Sequence, residues 1–157
     1  MKTTVVKTLL LATFTFTFTP QSRAQDAEAA ELKKLQGTWI GRVASPGVAG
    51  RSGSGTMVSI TELVIKGSTI TASGGMQGGP GGGDLGEGAY KINLSAKPKT
   101  LDAVGSGGRT DGKNYLGIYK FDGETLEWCA ANPGIPRPKD FFTKPQVQFH
   151  LVLIKKK

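Results

Sequence analysis

From Gly37 to the last residue the chain is a succession of short runs rich in β-branched and aromatic residues. Clusters of Gly, Pro, Asp, Asn and Lys divide them, and no helical stretch separates any two. Parallel neighbours need a crossover of a dozen or more residues, usually a helix. The runs must therefore pair antiparallel. They are Thr38–Val43, Thr56–Ile65, Thr69–Ala72, Gly88–Leu94, Thr100–Val104, Asn114–Phe121, Thr125–Ala130 and Val147–Lys155. Lys66-Gly67-Ser68 and Asp122-Gly123-Glu124 read as hairpin connections, and Ser95 to Lys99 as a longer turn. About eight such strands in sequence predict an all-β, antiparallel, up-and-down barrel, because closure alone removes the exposed sheet edges.

Alternation assigns faces to these strands. Val147, Phe149, Leu151 and Leu153 share one face of the last run, and Gln148 and His150 the other, where a solvated His150 is expected. Tyr90, Ile92 and Leu94 align in the same way, as do Leu126 and Trp128. Tyr115, Gly117, Tyr119 and Phe121 oppose Leu116 and Ile118, so that run is apolar on both faces and its orientation is open. Ahead of the strands, Asp26–Gln36 carries early acids and late lysines and stops at Gly37, a short helix with a narrow Leu32/Leu35 edge.

The first 24 residues have the layout of a secretory leader. Lys2 and Lys7 precede the uncharged stretch Thr8–Thr19, and Ser22-Arg23-Ala24 places small residues where cleavage after Ala24 is expected. The stretch is short of the ~20 apolar residues a membrane-spanning helix needs. The expected organisation is a leader at 1–24, a helical lead-in at 25–36 and one barrel domain at 37–157, with a Gly-rich surface loop at 74–88. Export to the periplasm or the extracellular space follows. Lys2, Lys7 and Arg23 leave with the leader, which takes the formal net charge of +8 down by three. The remaining basic residues form no stripe interleaved with aromatics, so a nucleic-acid surface is not expected. Lys155, Lys156 and Lys157 form a tail that reads first as solvated and second as a contact to an acidic polymer or envelope component.

Chemistry-bearing residues are sparse. One Cys excludes an internal disulfide and a cysteine-based zinc site, and one His excludes a multi-histidine metal site. No cofactor is expected. Gly81-x-Gly83-x-x-Gly86 fits a dinucleotide fingerprint in letters but lies between strands, without the helix N-terminus that would face a pyrophosphate. Gly53-Ser54-Gly55 is not a nucleophile elbow. The acids Asp84, Glu87, Asp102, Asp111, Asp122, Glu124 and Glu127 are spread over loops and turns. Cys129 reads as a buried filler. Arg137 is held in the stiff Pro133-Gly134-Ile135-Pro136-Arg137-Pro138. It either pairs with an acid or stacks on a ring to pin its loop, or it anchors an anionic ligand. Asn93-Leu94-Ser95 matches a glycosylation sequon by chance. The expectation is a non-enzymatic protein.

An ordered series of motifs carries a family resemblance: Leu35-Gln36-Gly37-Thr38-Trp39, Pro98-Lys99-Thr100-Leu101-Asp102, Tyr115-Leu116-Gly117-Ile118-Tyr119, Asp122-Gly123-Glu124-Thr125-Leu126, Cys129, Arg137-Pro138 and Phe141-Phe142. Over Glu31–Lys157 the chain resembles a small lipocalin-like domain family of unknown function, common in exported proteins of planctomycete bacteria. Gly37-x-Trp39 is also similar to the opening motif of lipocalins, where the Trp closes one end of the barrel. The resemblance implies a lipocalin-like barrel and no activity. An eight-stranded barrel either fills with its own side chains or holds one small ligand. If it holds an apolar ligand, Trp39, Tyr90, Trp128 and Phe149 are the expected wall, with Arg137 as the added polar candidate. The alternative is a filled interaction module that contacts envelope components through its loops or Lys tail.

Overall fold

The computed structural model describes residues 21–44, 60–73, 86–106, 111–144 and 147–157. Helix α1 (Gln21–Leu35) is followed by nine strands: β1 (Gly37–Val43), β2 (Ile60–Lys66), β3 (Thr69–Ser73), β4 (Gly86–Asn93), β5 (Thr100–Val104), β6 (Asn114–Tyr115), β7 (Gly117–Asp122), β8 (Thr125–Ala131) and β9 (Gln148–Lys155). All pairings are antiparallel. Each strand pairs with its neighbour in sequence, β6 and β7 sharing β5 as partner, and the first strand returns to the last through Trp39↔Lys155 to Val43↔Leu151. Because β6 and β7 form one interrupted strand, the sheet is a closed eight-stranded up-and-down barrel. The expected fold class is the observed one.

Turn chemistry explains the tight end. Gly67 and Gly123 take φ of 60° and 57°, a left-handed conformation that costs glycine nothing and other residues about 1 kcal/mol or more. Those glycines close the β2–β3 and β7–β8 hairpins as expected. The β4–β5 turn lies at the same end. Strands β1, β3, β5 and β8 all finish at the opposite end, where the four longer connections begin.

The inward parity is Trp39 on β1, Leu63 and Ile65 on β2, Ile70 on β3, Tyr90 on β4, Leu101 and Ala103 on β5, Tyr115 and Tyr119 on β6–β7, Leu126, Trp128 and Ala130 on β8, and Leu151 and Leu153 on β9. All of them are buried in one cluster with Leu35 of the helix. The open orientation of the 115–121 run is thereby fixed with its tyrosines inward. Two glycines mark where the barrel bends hardest. A Cβ on Gly41 would lie 2.0 Å from the Val152 carbonyl oxygen, and one on Gly88 would lie 1.9 Å from that of Val104. Only a residue without a side chain lets those backbones approach.

Four expectations need adjustment. The helix starts at Gln21 rather than Asp26, so it runs through the expected cleavage position. The 114–121 run is two strands, broken at Leu116. Val147 precedes β9 and is exposed rather than inward. His150 and Gln148 do face outward from the barrel, but both are buried. An outward face is solvated only where nothing covers it, and here residues 132–144 lie across it. The leader's first twenty residues, the stretch 56–59 and most of the Gly-rich segment (74–85) are outside the described residues. Within what is described, no helix is long and apolar enough to cross a membrane.

Candidate functional site

The helix closes one end of the barrel. Leu35 is fully buried against the core, and its carbonyl accepts a hydrogen bond from the Trp39 indole at 2.8 Å. Gly37, at φ 121°, makes the sharp exit from helix to strand that puts Trp39 directly beneath the helix. Tyr90 joins this floor through a ring of hydrogen bonds. Gln36 Nε2 donates to the Tyr90 hydroxyl (3.1 Å), that hydroxyl donates to the Gly67 carbonyl (3.1 Å), and Gly67 N–H donates to Gln36 Oε1 (2.6 Å). Glu31 accepts from the Tyr119 hydroxyl at 3.1 Å and pairs with Lys99 at 2.6 Å. Burial, followed by the Glu31 charge, pushes the Tyr119 hydroxyl well above the ordinary phenol range.

The other two expected wall residues stand nearer the opposite end. Phe149 meets the Trp128 ring edge-on at a centroid distance of 5.6 Å, and the Tyr115 ring at 6.4 Å. Trp128 and Tyr115 are buried, whereas Phe149 is half-buried. The four residues therefore divide into a floor, Trp39 and Tyr90, and a wall, Trp128 and Phe149. Tyr115 belongs to the wall and was missed. Its alternation with Tyr119 was legible, but a run apolar on both faces hides which face is inward.

Between β5 and β7 the backbone ladder is interrupted and side chains complete it. Tyr119 N–H still reaches the Lys99 carbonyl. One step along, the Leu101 carbonyl accepts the Trp128 indole N–H at 3.0 Å, and Gly117 N–H donates to Asp102 Oδ1 at 3.0 Å. The Gly117 carbonyl accepts from Arg137 Nη1 at 2.7 Å. A Cβ at Gly117 would sit 2.3 Å from the indole nitrogen and 2.5 Å from the Leu101 oxygen. The indole thus repairs the seam from inside, and Asp102 with Arg137 repairs it from outside.

Arg137 engages Asp102 with both terminal nitrogens, Nη1 to Oδ1 and Nη2 to Oδ2, the latter at 2.8 Å. The Asp102 carboxylate raises the Arg137 pKa further above its usual value. This bidentate pair pins the segment 132–144 across the outer surface. Beneath that strap Gln148 Nε2 donates to the carbonyls of Phe142 (2.8 Å) and Asp140 (3.3 Å). Cys129 is fully buried and its thiol faces the Phe142 carbonyl at 3.5 Å. Burial pushes that thiol up to about 11, which leaves it protonated and a poor nucleophile.

His150 lies under the same strap. Its Nε2 is 2.9 Å from Glu127 Oε2, Lys120 pairs with Glu127 Oε1 at 3.0 Å, and the Phe141 ring packs on the imidazole at 5.9 Å. Desolvation lowers the His150 pKa despite the carboxylate beside it. The Glu127 contact joins β9 to β8, and it is the Phe141 ring that ties the strap to the imidazole. Asn93 is exposed, and its carboxamide oxygen accepts the Ser95 N–H at 2.9 Å, a local turn bond. Among the described residues, no three His, Cys, Asp or Glu side chains converge as metal ligands would.

No protein-family model, no curated protein and no solved structure matches the chain.

Proposed function

We propose that this chain is an exported, lipocalin-like binding protein, without enzymatic activity, that takes a small apolar molecule into its barrel. The observation that carries this reading is the asymmetry of the two ends. The helix, Trp39 and the Tyr90–Gln36–Gly67 ring seal one end, so a ligand would enter from the other and meet Trp39 and Tyr90 as floor. The half-buried Phe149, backed by Trp128 and Tyr115, forms the wall toward the end where the long connections begin. Edge-on aromatic rings offer broad contact at low entropic cost, as an apolar ligand requires. Arg137 acts first as the latch of the strap, because Asp102 and the Gly117 carbonyl take three of its five N–H donors. Membership of the planctomycete lipocalin-like family is part of the same proposal and rests on the ordered motifs.

Native mass spectrometry of the protein purified from its own source tests the reading. It predicts an added mass of a few hundred daltons that disappears in organic denaturant. A bare chain mass, with no uptake of added apolar compounds, would contradict it.

A further inference from the structure

A second feature lies at the sealed end and is independent of what the barrel holds. Four segments distant in sequence bring lysines there. The helix ends in Lys33 and Lys34, Lys66 starts the β2–β3 turn, Lys97 and Lys99 stand in the β4–β5 turn, and Lys155 to Lys157 finish β9. Specific contacts tie these segments together. Lys155 Nζ donates to the Lys34 carbonyl at 3.3 Å and covers the Trp39 ring at 5.2 Å. Gln36 fastens the helix end to Gly67, the residue after Lys66. Lys99 pairs with Glu31, and Lys156 with Glu62 at 3.7 Å. Among the described residues, the other six lysines of this group form no ion pair. Asp122 and Glu124 are the exposed acids of the β7–β8 turn at this end. Asp26 and Glu28 lie more than a turn of helix before Lys33.

We infer that this end is a docking face for the surface of a bilayer rich in anionic lipid. Lysines contributed by a helix end, two turns and the end of β9 are spread over the breadth of the barrel end. They do not follow one strand or groove, so their complement is a sheet of charge rather than a single polymer strand. Electrostatic attraction of this kind gains roughly a factor of five in partitioning per lysine near the surface. One apolar side chain accompanies the cluster. Ile154 is 56% exposed, the most exposed large apolar residue of the described chain, and it sits two residues before Lys156. Its register opposite Ile40 and Thr125 turns it outward. An exposed isoleucine beside lysines suits insertion among lipid headgroups and has no use against a hydrophilic polymer. The consequence is an orientation: the sealed end rests on the membrane and the opposite end faces away.

Sedimentation with vesicles tests this directly, with purified full-length protein and phosphatidylcholine vesicles with or without one-third phosphatidylglycerol. The quantity read is retention on anionic vesicles in excess of retention on neutral ones; Lys2, Lys7 and Arg23 are common to every variant, so the drop from the native chain to each variant isolates the barrel end. The excess is expected at low salt and should vanish at about 0.5 M salt, where screening is nearly complete at these distances. Two triple variants, Lys33→Gln/Lys34→Gln/Lys66→Gln and Lys155→Gln/Lys156→Gln/Lys157→Gln, should each lower it more than tenfold. Ile154→Ser should lower it severalfold with the salt dependence unchanged. Circular dichroism of each variant separates loss of binding from loss of fold, and Ile154→Ser, at an exposed position, is the variant least exposed to that ambiguity. No excess on anionic vesicles overturns the inference. So does an excess that only the tail variant reduces, and so does retention on an acidic polysaccharide resin equal to that on vesicles and unaffected by Ile154→Ser.

Discussion

Gly117 shows how much a single missing side chain decides. Its place opposite Leu101 lets the Trp128 indole enter the interrupted ladder and satisfy a buried carbonyl. Both atoms that an added methyl would strike are held, one in the backbone and one in a buried, hydrogen-bonded indole. Gly117→Ala should therefore destabilise the fold by about 1–3 kcal/mol, the usual cost of overpacking. Chemical denaturation read by tryptophan fluorescence measures it, and an unchanged midpoint would show that the indole does not occupy the seam. His150 supplies a second test at this scale. Its folded pKa lies below the unfolded value of about 6.5, so below that pH the unfolded chain binds more protons than the folded one. Stability is then complete above pH 6.5 and declines as the pH falls through the window between the two values. Desolvation is the largest cause and outweighs the Glu127 carboxylate, which favours the charged ring, while Lys120 adds a smaller opposition to it. Comparison of thermal midpoints at pH 7.5 and 5.5 should show a smaller drop in His150→Gln than in the native chain. Equal drops would remove His150 from the acid response.

At the scale of elements, the strap 132–144 behaves as a separate layer laid over β8 and β9. It has few regular backbone bonds of its own, and Arg137, Gln148 and Phe141 hold it from three sides. A partly exposed ion pair contributes about 1 kcal/mol at most, so Arg137→Ala should loosen the strap without unfolding the barrel. The readout is Cys129, which the strap covers. Its reaction with a thiol reagent should accelerate severalfold in Arg137→Ala and in Arg137→Lys alike, because an ammonium cannot reproduce the two-pronged contact. An unaltered rate would mean that the strap is held elsewhere. This layer also marks the limit of what the residues reveal in order. The strands and hairpins were legible because alternation and the glycine turns act locally. The fate of Gln148 and His150 was not, since parity reports which face a side chain takes and says nothing of what a distant segment lays over it. The break at Leu116 was hidden for a related reason: its cause is an indole arriving from β8.

Taken as a whole the molecule has two unlike ends. One is sealed by a helix whose Leu35 and Leu32 edge was readable from spacing alone, and is rimmed by lysines whose convergence only the closed topology produces. The other is where every long connection begins, with Phe149 near it. The floor and the wall of the interior each contain one of the chain's two tryptophans, Trp39 and Trp128, so each can serve as a lone reporter. Trp39→Phe leaves Trp128 to report on the wall, and Trp128→Phe leaves Trp39 to report on the floor. Titration of both variants with an uncharged apolar probe, followed by tryptophan fluorescence, asks whether the barrel takes the probe and from which end. A saturable change is expected from Trp128, with a smaller change or none from Trp39 behind its helix. No saturable change in either variant, or one reported by Trp39 alone, would contradict the proposed binding.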